Sequence, residues 1–268
     1  MEIRLLGTGA ADGIPTFYGD DEISRYARRY GGKDVRTRSS ALLDGHIKID
    51  LPPDSVHQLQ RDKLRAADWT ALIFTHGHDD HFARREIQYT LFPFTEQLFM
   101  PYIIYGNDRI SAALPEAFPD WPIEVRQTFS FQSFTHLDYT ITPIQARHKE
   151  DEDSQNLIFQ REGKTFLYAT DTGVWKQETF GFLQDYRLDL LVIECTDGLR
   201  KSTYEGHLDI EACAGVVEAL RESKVLHDKS RVVTTHHSAK GLARHSDLER
   251  ELGKYRIEPG FDGMVLRI

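Results

Sequence analysis

The segment Thr75-His76-Gly77-His78-Asp79-Asp80-His81 brings three imidazoles and two carboxylates together in one short stretch. These are the side chains that bind Zn2+ and similar divalent ions. The apolar run Ala71-Leu72-Ile73-Phe74 comes directly before them and reads as a buried strand. The cluster therefore falls where a strand stops, at the edge of a rigid sheet. In extended chain, residues i and i+2 point the same way, so His76 and His78 can grip one ion together. Asp80 and His81 come where the chain turns into its next segment and can face a second ion. Four such ligands at one strand end are too many for a single open catalytic metal, which points to two ions side by side.

Two ions need further donors, and the chain offers them at other strand exits. His148 follows Ile144-Gln145-Ala146-Arg147, Asp171 follows Phe166-Leu167-Tyr168-Ala169-Thr170, and His236 follows Val232-Val233-Thr234-Thr235 with His237 beside it. Taken singly, an aspartate after a strand is a common turn residue. Each of the three, however, repeats the pattern of an apolar strand with a ligand type at its end.

Strand-like and helix-like segments alternate throughout. Strands are expected at Ile3–Leu6, Ser40–Leu43, His46–Ile49, Ala71–Phe74, Tyr102–Tyr105, Tyr139–Pro143, Asn156–Gln160, Thr165–Ala169, Leu190–Glu194, Arg231–Thr235 and Gly263–Arg267. Helices are expected at Ser55–Leu64, Phe82–Leu91, Ile110–Ala117, Thr179–Tyr186, Leu208–Ser223 and Asp247–Tyr255. In the fifth of these, Ile210, Cys213, Val217 and Leu220 form one apolar stripe. Ser246 and Glu249 read as a capping box for the last helix. Several strands run together before a helix appears, as from Tyr139 to Ala169, which favours two mixed sheets with helices outside. The Gly- and charge-rich region Tyr18–Arg38, with Arg25, Arg28, Arg29, Arg36 and Arg38, reads as a solvated loop. Its functional alternative is a flap whose arginines meet an anionic substrate.

The 268 residues read as one domain spanning 1–268. A net charge of −9 opposes binding to extended nucleic acid but not to a small anion near a metal. No stretch has the length of a membrane span, the start lacks the apolar core of a signal peptide, and Cys195 and Cys213 suggest no disulfide framework. A cytoplasmic protein is expected. The aromatic stretches Tyr89–Phe99 and Phe129–Phe134 should pack mostly in the core, with a substrate pocket or a homodimer face as the alternatives.

The order HxHxDH, then a distant His, then Asp, then His resembles the metallo-β-lactamase superfamily, and Leu6-Gly7-Thr8-Gly9-Ala10 is similar to that family's first strand and turn. The resemblance implies a four-layer αββα sandwich, two mixed sheets flanked by helices, with a dinuclear site at one edge. It implies that His76, His78 and His148 hold one metal, that Asp80, His81 and His236 hold the other, and that Asp171 bridges them. His236 is favoured over His237 because the family places its ligand in a Thr-His step. The ligand set accepts zinc or manganese.

Asp171 stands where many true β-lactamases of the fold carry cysteine, which argues against antibiotic hydrolysis. Gly206-His207-Leu208-Asp209 resembles the phosphodiesterase branch, which includes tRNase Z and the cyclic phosphodiesterase of phosphonate breakdown. That likeness implies that His207 enters the site without ligating metal. Gly7–Pro15, Arg38-Ser39-Ser40 and Asp50-Leu51-Pro52-Pro53-Asp54 are similar to the phosphonate-pathway enzyme. The chain departs from it by having no cysteine between Ile14 and Arg38, so a separate structural zinc site is not expected.

The implied function is a metal-dependent phosphodiesterase acting on a small, in some cases cyclic, phosphodiester. Two divalent ions would share a hydroxide that attacks phosphorus, with Asp80 and His207 as the catalytic side chains. The alternatives are an acyl hydrolase of the same fold, such as a lactonase or thioesterase, and a non-catalytic protein of cofactor biosynthesis or binding.

Overall fold

The computed structural model describes residues 1–268. In chain order the first sheet holds β1 (Glu2–Gly7), β2 (Ser40–Leu43), β3 (Ile47–Ile49), β4 (Ala71–Ile73), β5 (Ile103–Gly106) and β6 (Val125–Gln127). The second holds β7 (Phe134–His136), β8 (Tyr139–Gln145), β9 (Gln155–Arg161), β10 (Lys164–Ala169), β11 (Leu188–Glu194), β12 (Leu226–Thr235) and β13 (Glu258–Pro259), and β14 (Val265–Arg267) returns to the first. The spatial orders are β14-β1-β2-β3-β4-β5-β6 and β13-β12-β11-β10-β9-β8-β7. Each sheet begins with antiparallel pairs and continues with parallel ones: β3 to β6 in the first, β10 to β13 in the second. The helices are α1 (Glu22–Tyr30), α2 (Ser55–Asp62), α3 (Asp108–Ala117), α4 (Gln177–Leu183), α5 (Ile210–Glu222) and α6 (His245–Gly253). None of them is long and apolar enough to cross a membrane.

Strand alternation builds the layers. In β11, Leu190 and Val192 point into the space between the sheets, and Leu191 and Ile193 point toward the helices. Both faces are buried, so the strand is a continuous apolar run. β4 does the same with Ala71 and Ile73 inward and Leu72 outward. Outside the first sheet, Leu72 and Ile104 meet Ile110 and Leu114 of α3. Outside the second, Leu191 and Val232 meet the expected stripe Ile210, Cys213, Val217 and Leu220 of α5, with Leu248 and Leu252 of α6. This is the four-layer αββα sandwich that the resemblance implies.

Several local expectations fail for identifiable reasons. Phe82–Leu91 is not an α-helix. The chain is held extended by Leu51 N–H on His81 O at 2.8 Å and Ala83 N–H on Leu51 O at 2.9 Å, and only a tight 3-10 stretch, Arg84–Thr90, follows. The region Tyr18–Arg38 contains α1. Asp21 caps it by accepting Ser24 N–H at 2.8 Å, and Ile23 and Ala27 bury against Ile14 and Ala239. One i,i+4 pair is too short a stripe to stand out in a charged sequence. Its arginines serve the chain itself. Arg36 is buried on Thr8 Oγ1 and Gly260 O, both at 2.7 Å, and Arg38 pairs with Asp54.

The last helix starts at His245, with Asp247 accepting Arg244 N–H at 3.2 Å, so Ser246 and Glu249 form no capping box. Phe92, Phe94 and Phe99 are exposed instead of packed, while Phe131 and Phe134 lie against the cores. The short strands β6, β7 and β13 carry too few apolar residues to be read from sequence.

Lys48 on β3 is wholly buried, and its Nζ donates to Ile49 O at 3.2 Å and to Asp50 O. Burial lowers its pKa to about 7 despite the opposing charge of Asp50. The folded value lies below the unfolded one, so the burial cost is full below about pH 7 and fades as pH rises toward 10.5. At full size it is on the order of a few kcal/mol. Chemical denaturation should therefore show wild type gaining stability relative to Lys48→Met between about pH 7 and about pH 10. Parallel pH profiles would mean that the ammonium is solvated.

Candidate metal centre

β4, β10, β11 and β12 all end at one edge of the sandwich, where the carboxyl ends of parallel strands leave a crevice. β8 delivers His148 to the same place. Three exits use left-handed backbone: φ is 57° at Asp50, 48° at Asp171 and 57° at His236. Non-glycine residues are held there only where surrounding contacts over-determine them.

The side chains converge in two nests. In the first, His76 Nε2 lies 3.0 Å and His148 Nε2 3.1 Å from His78 Nδ1. In the second, Asp80 Oδ2 lies 3.3 Å from His81 Nε2 and 3.7 Å from His236 Nε2. Asp171 stands between them. Its Oδ1 is 3.6 Å from His148 Nε2 and 4.0 Å from His76 Nε2, and its Oδ2 is 3.0 Å from His81 Nε2 and 3.1 Å from His236 Nε2. One carboxylate thus presents one oxygen to each nest. All seven expected residues meet here. His237 does not: its Nε2 turns to Thr234 Oγ1 at 3.2 Å.

The partners behind the rings fix their tautomers. Asp50 Oδ2 accepts from His81 Nδ1 at 2.8 Å. Gly206 O accepts from His148 Nδ1 at 3.2 Å. Thr196 donates its hydroxyl to Glu194 Oε2 at 2.5 Å, so its oxygen is left to accept from His236 Nδ1 at 2.8 Å. Thr75 likewise donates to Asp50 and accepts from His76 Nδ1 at 3.0 Å. In all four rings Nδ1 is the nitrogen held from behind and Nε2 is the one that faces the nests.

Burial lowers the pKa of His76, His78 and His148, with neighbouring imidazoles adding to the effect at His76. These three rings are neutral. At His81 burial opposes charge, but Asp171, Asp80 and Asp50 outweigh it. The Nε2 atoms of His81 and His236 are buried without a hydrogen-bond partner. Buried ring nitrogens without a hydrogen bond, set beside carboxylate oxygens, fit a bound cation, as do three neutral ring nitrogens packed against each other. Among the residues present, His76, His78, His148 and Asp171 form one candidate set, and Asp80, His81 and His236 another.

His207 stands beside the second nest. A ring nitrogen of His207, a carboxylate oxygen of Asp171 and a ring nitrogen of His236 lie within 4.8 Å of one another. Its Nδ1 donates to Glu194 Oε1 at 2.7 Å. Burial opposes charge on His207, and Glu194 overrides it and raises its pKa to about 9. Glu194 is itself buried and also accepts from the N–H groups of Thr172, Thr196 and Leu208. Sequence reasoning gave no role to Glu194, Thr196 or Asp50. Two of them are acids closing apolar strands, the same signal that marked Asp171. A cavity of about 660 Å3 opens at His78 and His148, walled by Arg147, Lys149, Lys176 and Tyr204 among others.

The family model described as the beta-lactamase superfamily domain matches residues 46–237. No curated protein sequence matches the chain. Solved structures similar to it include a diphosphatase from the PhnP family, 21% identical with a TM-score of 0.79, covering 100% of this chain and 97% of that one. Another is Zn(2+)-bound PqqB from Methylobacterium extorquens, 15% identical, TM-score 0.78, with full coverage of both chains. A third is the short form of human tRNase Z, 18% identical, TM-score 0.68, covering 100% and 99%. Likeness at these identities is likeness of fold.

The anchoring of His81 is open to measurement. Asp50→Asn removes a full carboxylate from behind that ring, and the affinity of one metal should fall by about 10–100-fold, the usual worth of such a partner. Zinc competition against a chelator reads the change, and an unaltered affinity would show that His81 needs no anchor.

Proposed function

The chain belongs to the beta-lactamase superfamily, and we propose that it is a metal-dependent hydrolase of small phosphodiesters, cyclic ones included. The reading rests on the pairing of two ligand nests through Asp171 with a fixed proton donor, His207, at their shared rim. A phosphodiester carries a charge over two non-bridging oxygens and loses an alkoxide that needs a proton. Two cation sites side by side match the first demand and His207 the second. A neutral ester or lactone presents one oxygen and no ground-state charge, so it makes less use of two adjacent cations.

His76, His78 and His148 would hold one divalent ion, Asp80, His81 and His236 the other, with Asp171 shared. Such ions, when bound, neutralise phosphoryl charge and lower the pKa of water toward neutrality. The other steps belong to the chain. Asp80, more exposed than the histidines of its nest, accepts a hydrogen bond from the incoming water and aims it at phosphorus. His207 hydrogen-bonds a phosphoryl oxygen or gives its proton to the departing oxygen. Glu194 holds that ring in place and stabilises its charged form. Burial of the nests excludes bulk water from the reacting group.

His207→Ala should keep its metal content and lose turnover of bis(p-nitrophenyl) phosphate by about 10²–10⁴-fold, the usual range for an acid–base group. Full turnover in that variant removes His207 from the mechanism. Asp171→Ala should lose metal and activity together, and elemental analysis reads the first. A panel of lactones and thioesters turned over faster than phosphodiesters by the wild type would replace this reading with acyl hydrolysis.

A further inference from the structure

The three rings of the first nest come from different sheets. His76 and His78 leave β4 of the first sheet, and His148 leaves β8 of the second. The backbone pair Gln155 N–H to Thr75 O, at 2.9 Å, joins the two exits below the nest. Nearer the rings the join is made by a side chain, Glu152. Its carboxylate is fully buried, and Oε1 accepts Gly77 N–H at 2.6 Å. That amide lies between the two histidines of the first exit. The same oxygen accepts from Asn107 Nδ2 at 2.9 Å. Asn107 follows β5, the strand next to β4; its Nδ2 also donates to Asp153 O at 3.0 Å, and its Oδ1 caps α3 through Ile110 N–H at 3.1 Å.

One carboxylate on the His148 segment therefore grips the first sheet at two points. Its second oxygen, Oε2, has no hydrogen-bond partner, although Lys149 Nζ lies 3.4 Å and Arg109 Nε 3.9 Å away. A buried, half-satisfied carboxylate is costly where packing alone is needed. The grip also explains Gly77. A Cβ at that position would meet Arg109 Cδ at 2.8 Å and Glu152 Oε1 at 3.1 Å.

We infer that Glu152 is a positioning residue for the first metal nest: by holding the Gly77 amide from across the sandwich, it sets the spacing of His78 Nδ1 and His148 Nε2 before any cation arrives. This rests on the metal-binding reading of the nests and is independent of which bond the protein cleaves. Its side-chain hydrogen bonds go to Gly77 and Asn107 and touch no residue of the second nest, so it acts on one of the two sites.

The test is competition of the zinc-loaded protein against a chelator, with circular dichroism as the control for folding. Glu152→Ala should weaken one of two zinc sites by about 10–100-fold, the range for partners behind a ligand, and leave the other unchanged. Glu152→Gln keeps an oxygen for Gly77 N–H and should recover most of that loss, which a role in charge alone would not allow. Wild-type affinity at both sites in Glu152→Ala overturns the inference, as does a Glu152→Gln variant no better than Glu152→Ala. Should Glu152→Ala fail to fold, hydrogen exchange at Gly77 in chelated wild type decides: a protected amide supports the clamp, and free exchange overturns it. A wild type that takes up no zinc sinks the metal-centre reading itself, whereas two bound zincs without phosphodiester turnover sink only the proposed reaction.

Discussion

The site depends on imidazoles being held in one tautomer at a buried sheet edge. An unanchored ring can offer either nitrogen, and burial disfavours the charged form that would resolve the ambiguity. The chain answers with fixed acceptors behind the rings: the Asp50 carboxylate, the Thr75 and Thr196 hydroxyls, and the Gly206 carbonyl. Each engages an Nδ1 and leaves the Nε2 facing Asp171 or a neighbouring ring. The hydroxyls can act this way because each donates its own proton onward, Thr75 to Asp50 and Thr196 to Glu194. Two buried acids thus organise most of the histidines.

The architecture supplies the rigidity this requires. Parallel strands buried on both faces end together at one edge, and residues just past their ends have little freedom to retreat. Left-handed backbone at Asp50, Asp171 and His236 turns each side chain back toward the crevice. The cost of these conformations is met by dense packing on both sides of each sheet. Glu194 has a double duty in this frame. It completes the anchor of His236 through Thr196 and positions His207 directly, so the second nest and the proposed proton donor share one support.

The two sheets have the same plan, antiparallel strands followed by parallel ones, and each contributes candidate ligands from its parallel half. Asp171, leaving β10, is the point where the two nests meet. Tertiary ties across the sandwich, such as Glu152 on Gly77 and Asn107 on Asp153, hold the two halves in register at that edge.

Much of this could be read from the chain alone. Apolar runs ending in His or Asp identified His76, His78, Asp80, His81, His148, Asp171 and His236, because a strand buried on both faces leaves its mark as uninterrupted hydrophobicity and its exit as the first polar residue. The order of those runs favoured two mixed sheets with helices outside, and the αββα class followed from the family resemblance. What the sequence could not decide were matters of distance. Glu194 and Asp50 end apolar strands just as Asp171 does, yet only folding separates an acid that faces the nests from one that stands behind a ring. Glu152 sits in a charged run, Lys149-Glu150-Asp151-Glu152-Asp153, where nothing local distinguishes the buried member from its exposed neighbours. That His236 faces Asp171 while His237 turns to Thr234, and that the arginine-rich region holds a helix packed on Ile14 and Ala239, likewise appear only in the folded chain. Local pattern reports which face a side chain shares with its neighbours, but a partner two hundred positions away is specified only when the layers close.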